Sequence, residues 1–339
     1  MSIRRAAPVR CFQAIGLASV AALGAWLPSV AAAPLSSDLR MPRYAHIFMI
    51  VDENKSYERV MNGQDAPAIA ALAKQYGNAT HFYAETHPSE PNYVAIVGGS
   101  TFGIADDAPF SSAGHTIDAP SLATQLEGAG LTWKGYYESL PEAGSLAVRS
   151  GLYASKHSAF LNFRSVQQDP RRSEHLVDFA RMQNDFRSGN IPNFAFIAPN
   201  LCNDMHGAGG NTPAGCQTTS GLIRRGDNEI KELVGEIMAS AAWSSKANAA
   251  IVITFDEDDG GGTQGCCGTD PRDPANAGGG HVPTIVIANH GPRGIADPTP
   301  YSHYSLLRTI EDAFGIHNYL GHAGVSTAVP MLPLFLRQR

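Results

Sequence analysis

Charged side chains are scarce in this chain of 339 residues. Lysine, arginine, aspartate and glutamate make up 17% of it, and 43% of the residues are hydrophobic. An average soluble domain is roughly 25% charged, so the chain has ample material for a large core, and this excludes a disordered tail. Internal repeats and charged linkers are also lacking, although glycine and proline are plentiful at 34 and 22 residues. We therefore expect one large domain over residues 33–339, with function on its many loops.

An excess of positive charge is also absent, since the formal net charge is −6. Removal of the first 32 residues would take away three arginines and no acidic residue, which would leave a net charge of −9. Long-range attraction to a polyanion needs the opposite balance. We therefore expect no nucleic-acid partner and no anionic membrane surface as a partner.

The N-terminal region contains a long apolar run. Arg4, Arg5 and Arg10 precede an uncharged stretch at residues 15–27, and small residues follow at 30–33. This order predicts a secretory signal peptide over residues 1–32 and export to the periplasm or the extracellular space. An uncleaved anchor is the alternative, but the run is short for a transmembrane helix of about 20 residues. We expect no stable membrane insertion.

Cysteine is infrequent, with five in the chain, of which Cys11 would leave with the signal peptide. The four that remain, Cys202, Cys216, Cys266 and Cys267, predict disulfides in an oxidising compartment. A zinc site made of all four is the competing reading. Bridging the adjacent pair would be strained, because its Cα atoms are only about 3.8 Å apart. The pattern therefore slightly favours bridges between the two cysteine-bearing loops, without fixing a connectivity.

Short apolar runs alternate with helical patterns along the chain. Strands are predicted at residues 46–52, 132–137, 193–198, 249–256 and 282–288, and helices at residues 66–76, 121–129, 174–186, 227–240 and 305–314. Nearly continuous apolar strands need cover on both faces of a sheet. The order therefore predicts an α/β fold with a mostly parallel, doubly wound sheet and helices on both faces.

Polar residues follow three of these predicted strands. The first runs into Asp52-Glu53-Asn54, the third is followed by Asp204-Met205-His206, and the fourth enters the acidic run at residues 256–259. In doubly wound sheets ligands bind beyond the carboxyl ends of the strands. Any one of these segments alone could be a solvated loop tip, but four adjacent acids repel one another unless a cation or proton intervenes. We therefore predict a divalent metal site, with Mg, Mn, Ca or Zn left open.

A second cluster of polar residues lies at His87-Pro88-Ser89-Glu90-Pro91-Asn92-Tyr93. Pro91 fits the first position of a helix, which would place Ser89 just ahead of unpaired backbone N–H groups. A nearby metal would favour a serine alkoxide further, which makes Ser89 a candidate nucleophile. A helix cap without catalytic function explains the same residues equally well.

Taken together, these segments resemble the phosphoesterase family of secreted acid phosphatases and phosphatidylcholine-type phospholipases C. The resemblance rests on an EN pair at 53–54, the element at 87–93, the triplet at 204–206, a DE pair at 256–257 and His281-Val282-Pro283, in the family's order over most of the chain. It implies an alkaline-phosphatase-like fold and a phosphoesterase domain over residues 33–339.

The resemblance also implies roles for single residues. It makes Ser89 the nucleophile, with His206 and His281 as histidines around the phosphate. Glu53, Asn54, Asp256 and Glu257 would hold the metal. Asn92 would bind a phosphate oxygen, and Asp204 and His115 are looser candidates for substrate binding. His87, Asp258 and His303 are candidates for supporting positions.

Two departures separate this chain from the phospholipase branch. Ser89 stands where that branch has threonine, and Tyr93 follows Asn92 where it has arginine. The chain is therefore closer to the acid phosphatases, and the implied function is metal-dependent hydrolysis of a small phosphomonoester through a phosphoserine. Cleavage of phospholipid diesters is the alternative among enzymes, and a secreted calcium-binding or adhesion module is the alternative outside them. Oligomeric state is not determined by the sequence, and the wide separation of Glu257 from His281 leaves the role of His281 open.

Overall fold

A computed structural model describes residues 40–209 and 212–336 of the chain. The signal peptide predicted over residues 1–32 lies outside these ranges. Twelve strands are present in the described residues: β1 His46–Asp52, β2 Gly77–Ala79, β3 Phe82–Tyr83, β4 Trp133–Tyr137, β5 Arg149–Ser150, β6 Tyr153–Ala154, β7 Leu176–Val177, β8 Phe194–Ala198, β9 Ala249–Phe255, β10 Thr284–Ala288, β11 Ile295–Asp297 and β12 Tyr301–Ser302.

The same part of the chain forms eleven α-helices: α1 Tyr57–Met61, α2 Pro67–Gln75, α3 Ser89–Gly98, α4 Leu122–Gly128, α5 Arg164–Gln167, α6 Pro170–Ser173, α7 Phe179–Ser188, α8 Thr219–Ala239, α9 Ala241–Ser244, α10 His303–Phe314 and α11 Leu332–Phe335. Short 3₁₀ turns lie at Ser155–His157, Pro274–Asn276 and Gly321–Gly324. No helix within the described ranges is both long enough and apolar enough to cross a bilayer.

Eight of the strands form one sheet in the order β11-β2-β10-β9-β1-β8-β4-β7. Strand β1 lies at its centre and pairs in parallel with both β8 and β9. Strand β10 runs antiparallel to its neighbours β9 and β2, whereas the other pairs in this sheet are parallel. The carboxyl ends of β1, β8 and β9 therefore meet at one edge.

Burial of the central strands shows that both faces of the sheet are covered. Every residue of β8 and β9 is buried, and β1 is buried from Ile47 onward. The helices pack in two groups: α2 contacts α8, which contacts α7, whereas α3 contacts α10 and α4. Continuous apolar strands such as AAIVITF in β9 are stable only in such a sandwiched position. The mixed α/β fold predicted from the sequence is confirmed.

Several predicted elements differ in detail from the structure. The predicted helix at 174–186 begins only at Phe179, because Leu176–Val177 joins the sheet edge as β7 and Asp178 caps the helix by accepting a hydrogen bond from the Arg181 N–H. Helix α8 begins eight residues before the predicted start, where the Thr218 side chain accepts a hydrogen bond from the Gly221 N–H. The last predicted strand, at 282–288, is present as β10 but runs antiparallel.

Candidate functional site

Backbone hydrogen bonds draw three polar loops together at the carboxyl edge of the sheet. The Glu53 N–H donates to the Asp204 carbonyl at 2.8 Å, and the Asp256 N–H donates to the Asp52 carbonyl at 3.1 Å. The loops after β1, β8 and β9 are thereby held side by side. The carboxylates of Asp52, Glu53, Asp204, Asp256 and Glu257 in these loops are buried.

Ser89 lies against this edge as the first residue of α3. Its Oγ lies 3.0 Å from Glu53 Oε2 and 3.1 Å from Glu257 Oε1, and Asn54 Nδ2 approaches it at 3.4 Å. The sequence predicted that the helix would begin at Pro91, with Ser89 ahead of it. The helix instead begins at Ser89, because Pro88 takes the extended cap conformation and Pro91 is accommodated in the first turn.

Asn54 has a left-handed backbone conformation, with φ of 51°. Asparagine tolerates this region better than most residues with a side chain. The conformation lets the Asn54 N–H donate to Asp256 Oδ1 at 2.9 Å, and its amide contacts the Glu53 carboxylate. The EN and DE pairs thus contact each other directly.

Two histidines complete the group of side chains. His157 Nε2 lies 2.8 Å from Glu53 Oε1, and His157 Nδ1 lies 3.0 Å from Asp204 Oδ2. Its ring stacks on Tyr93, one turn after Ser89, with the centroids 5.0 Å apart. The second is His206, whose ring centroid lies 5.5 Å from that of His157.

The donor atoms of this edge fit a metal ion. Glu53, Asp256 and Glu257 each present one ligand atom within 4.8 Å of the others, and Glu53, His157 and His206 do the same. Asp256 Oδ2 in the first of these groups is buried and has no hydrogen-bond partner. Buried polar atoms are rarely left unsatisfied, and carboxylate oxygen with imidazole nitrogen is a donor set for divalent cations.

Burial and the crowding of carboxylates also shift the pKa values of these side chains. Burial, together with the neighbouring charges of Glu53 and Glu257, raises the pKa of Asp256 well above its usual range. Burial alone would lower the pKa of His157, but the carboxylates of Glu53 and Asp204 outweigh it and raise that pKa to about 9. These shifts show how strongly crowded carboxylates at this edge favour a positive charge among them.

The acidic run at 256–259 divides between two tasks. Asp256 accepts from the Asn54 N–H and Glu257 contacts Ser89, whereas Asp258 Oδ1 accepts from the N–H groups of Gly260 and Gly262 at 3.0 Å. Asp259 accepts from the Ser56 N–H at 3.2 Å and pairs with Arg59. Asp258 therefore organises the glycine-rich loop, and Asp259 joins that loop to α1.

Asn92 and His115 lie near Ser89 but have other partners. The Asn92 amide accepts from the N–H groups of Glu85 and Thr86 and donates to the carbonyls of Thr86 and Pro88. His115 contacts the Glu90 carboxylate at 2.8 Å through Nδ1 and Asp106 at 3.1 Å through Nε2. Each residue supports the segment that carries Ser89.

His281 is oriented away from the serine. Its Nδ1 lies 2.8 Å from Glu58 Oε1, its Nε2 lies 3.0 Å from the Thr80 carbonyl, and its ring stacks on Tyr57. The structure therefore does not bring His281 together with the other candidates. His87, in contrast, pairs with Glu257 and lies 3.0 Å from the Gly262 carbonyl through Nε2.

His157 was not among the residues that the sequence singled out. It lies in the short turn that follows β6, a two-residue strand that the sequence pattern did not predict, and no known motif spacing marks it. His303, in α10, fills a supporting position: it pairs with Glu85, four residues before Ser89, and its Nε2 lies 2.9 Å from the Phe255 carbonyl.

The disulfide pairing differs from the bridges between loops that the sequence slightly favoured. Cys202 pairs with Cys216, with Cα atoms 5.3 Å apart, and Cys266 pairs with Cys267. The first bridge closes the loop that carries Asp204 and His206. The preference for bridges between loops was wrong, because the loop after β8 folds back on itself and buries both of its cysteines together.

The fold of the chain is an α/β fold like that of alkaline phosphatases. A solved protein in the alkaline phosphatase superfamily from Vibrio parahaemolyticus superposes with a TM-score of 0.55 at 11% identity, covering 81% of this chain and 67% of that one. Likeness at this identity concerns the fold.

The sequence comparison is more specific. Residues 51–317 match the Phosphoesterase family, and the chain belongs to that family. A phosphatidylinositol-3-phosphatase of Mycobacterium tuberculosis is 30% identical over 307 residues, which cover 91% of this chain and 89% of the relative. An acid phosphatase of Aspergillus fumigatus is 26% identical, covering 80% of this chain and 55% of the relative. The chain is accordingly a phosphoric ester hydrolase, and the resemblance drawn from its motifs is confirmed.

Proposed function

We propose that this chain is an exported, metal-dependent phosphomonoesterase that acts through a phosphoserine formed at Ser89. The position of the Ser89 hydroxyl carries the proposal: its Oγ lies within 3.1 Å of a carboxylate oxygen on each side, from Glu53 and Glu257. A binding module has no need for a buried hydroxyl in such a place. The phosphatase names of both relatives described above support a phosphate monoester as substrate.

The metal would be held by Glu53, Asn54, Asp256 and Glu257, with His157 as a further donor. The unpartnered buried Oδ2 of Asp256 supports this assignment. When bound, the ion would offset the carboxylate charge and favour the serine alkoxide as a nucleophile. Metal identity stays open among Mg, Mn, Ca and Zn.

The proposed reaction has two steps in which the groups of this chain handle the protons. Ser89 Oγ attacks phosphorus in line, its proton passes to a carboxylate at hydrogen-bond distance, and the bond from phosphorus to the alcohol oxygen breaks. His206, which is only partly buried, supplies a proton to the departing alcohol. Water then attacks phosphorus, the bond to Ser89 Oγ breaks, and the serine regains a proton as phosphate leaves.

The test compares two chromogenic substrates on the purified exported protein. We expect p-nitrophenyl phosphate to be hydrolysed much faster than p-nitrophenylphosphorylcholine, which is a diester. Ser89→Ala should lower kcat/KM for the monoester by at least about a thousandfold, with little change in thermal stability, because a helix-start hydroxyl contributes only about 1 kcal/mol. Ser305→Ala is the matched control, since Ser305 is buried in α10 and its Oγ has no hydrogen-bond partner.

Two outcomes would contradict this proposal. If Ser89→Ala kept more than about a tenth of the wild-type rate, the loss would be under about 1.4 kcal/mol and the serine would not be the nucleophile. Faster hydrolysis of the diester would favour the phospholipase C reading instead.

Metal dependence is tested separately, by chelation and by elemental analysis. Chelation should abolish activity, one divalent ion should restore it, and Asp256→Asn should lower the bound metal found by elemental analysis. Full activity in a protein shown to be metal-free would remove the metal from the mechanism.

A further inference from the structure

One ammonium group reaches the rim of the site from a segment that no motif marks. Lys156 lies in the turn Ser155–His157, directly before the His157 that stacks on α3. Its Nζ lies 2.7 Å from Asp107 Oδ2 and 3.2 Å from His206 Nε2. Lys156 is therefore a cation in direct contact with the proposed catalytic group.

Its partner Asp107 also contacts α3, the helix that begins at Ser89. Asp107 Oδ1 accepts a hydrogen bond from the Glu90 N–H at 3.0 Å, and Glu90 directly follows Ser89. One carboxylate thus joins the Lys156 ammonium to a backbone donor beside the nucleophile. Both groups are donors that a phosphate group accepts from readily.

Two other cationic side chains at this edge, Lys55 and His157, already have buried partners. Lys55 is buried, and its Nζ donates to the carbonyls of Asn54 at 2.7 Å and Met205 at 3.0 Å. His157 lies between two buried carboxylates. The Asp107 side chain, in contrast, is 31% exposed, so Lys156 can exchange its partner for a ligand from solvent without leaving a buried charge unpaired.

We propose that Lys156 binds the non-bridging oxygens of the substrate phosphate and so sets a preference for dianionic monoesters. In the absence of substrate the Lys156 ammonium pairs with Asp107, and the substrate phosphate displaces this carboxylate. The inference rests on the proposed function and adds the residue that selects the substrate class. A monoester carries about one more negative charge than a diester near neutral pH, because its second pKa is about 6. In a site crowded with carboxylates, that extra charge needs a cation at hydrogen-bond distance.

The decisive variant is Lys156→Met, which keeps the apolar stem and removes the charge. We expect kcat/KM for p-nitrophenyl phosphate to fall about thirtyfold and that for p-nitrophenylphosphorylcholine to fall less than threefold, since hydrogen bonds to charged groups contribute roughly 1.5–3 kcal/mol. The inhibition constant of inorganic phosphate should rise about tenfold. Lys156→Arg should recover most of the monoester activity.

The matched control is Lys134→Met. Lys134 is also half-buried and paired with an aspartate, Asp185, but its partner belongs to α7 and is not at the site. This variant should change neither the substrate ratio nor the phosphate inhibition constant. Thermal unfolding of every variant shows which of them fold.

Asp107→Asn separates phosphate binding from a purely structural ion pair. If Asp107 competes with substrate, removing its charge should lower the inhibition constant of phosphate about threefold. If the ion pair is only structural, Asp107→Asn and Lys156→Met should weaken turnover of both substrates alike, and that result would overturn the inference.

An unchanged phosphate inhibition constant in folded Lys156→Met would also overturn the inference. If the wild-type protein hydrolyses neither ester, the proposed function fails, but binding of inorganic phosphate measured by calorimetry still tests Lys156. A wild-type enzyme that hydrolyses the monoester, with a Lys156 variant that loses both substrates equally, would leave the proposed function standing and remove only this inference.

Discussion

Asn92 supports the loop before Ser89 with every hydrogen bond that its amide makes. Its four partners are backbone groups of residues 85–88, and the side chain is buried. Family resemblance implies instead that Asn92 binds a phosphate oxygen. The two roles differ in what a truncation would do, because a supporting residue acts on folding and on the position of Ser89.

We expect Asn92→Ala to lower the free energy of unfolding by about 3 kcal/mol, since it leaves buried backbone N–H and carbonyl groups unpaired. It should lower kcat with little change in KM, because the serine loses its position while substrate contacts remain. Urea unfolding and steady-state kinetics check this, with exposed Asn318→Ala as the control. A raised KM in a protein of wild-type stability would favour direct phosphate binding.

Among the elements, the loop after β8 depends on its own covalent closure. The Cys202–Cys216 bridge spans 14 positions and encloses Asp204 and His206. The Cys266–Cys267 bridge joins neighbours and closes no comparable loop. In the chain-entropy account, only the first bridge restricts the unfolded chain substantially.

Replacing Cys202 and Cys216 by alanine should therefore lower the free energy of unfolding by about 3 kcal/mol, the value for a loop of roughly 15 residues. Activity should fall at temperatures where the sheet is still folded, because local order in the loop is lost first. Thermal unfolding followed beside residual activity measures both effects. The paired replacement of Cys266 and Cys267 is the matched control, and an equal loss of stability in it would contradict the argument.

For the molecule as a whole, buried and half-buried acids away from the site make stability depend on pH. Burial raises the pKa of Glu311 in α10 to about 7, and burial with neighbouring Glu138 raises that of Glu229 to about 7. An acid whose pKa is raised by folding binds its proton more tightly in the folded state. Its contribution favours folding at low pH and is lost as pH rises from its unfolded pKa, about 4.3, to about 7.

Glu311→Gln should cancel part of this loss. The glutamine cannot ionise, its oxygen can still accept from the Leu320 N–H, and its amide can donate to the unpaired oxygen of Gln125. We expect the variant to be about 2 kcal/mol more stable than wild type at pH 8 and nearly equal to it at pH 4.5, discounting the full shift for solvent relaxation. Urea unfolding at both pH values is the measurement, and exposed Glu142→Gln should show no such difference.

By itself, the sequence determined the central strands and the polar residues at their ends. Continuous apolar runs specify buried strands through local pattern alone, and β1 matches its predicted bounds of residues 46–52. The EN and DE pairs follow directly from β1 and β9, so the side-by-side pairing of parallel strands brings them together. The family and the phosphoesterase activity follow from these same local segments.

Only the tertiary structure decided which distant residues complete the site. His157 and Lys156 come from a short turn whose position depends on packing against Tyr93 in α3, a contact that no local pattern encodes. His281 is directed toward Glu58 and Thr80 by stacking on Tyr57, although its sequence context resembles that of the family. The cysteine pairing follows the path of the loop after β8 in space. These features depend on contacts between residues far apart in the chain, and local sequence patterns do not specify such contacts.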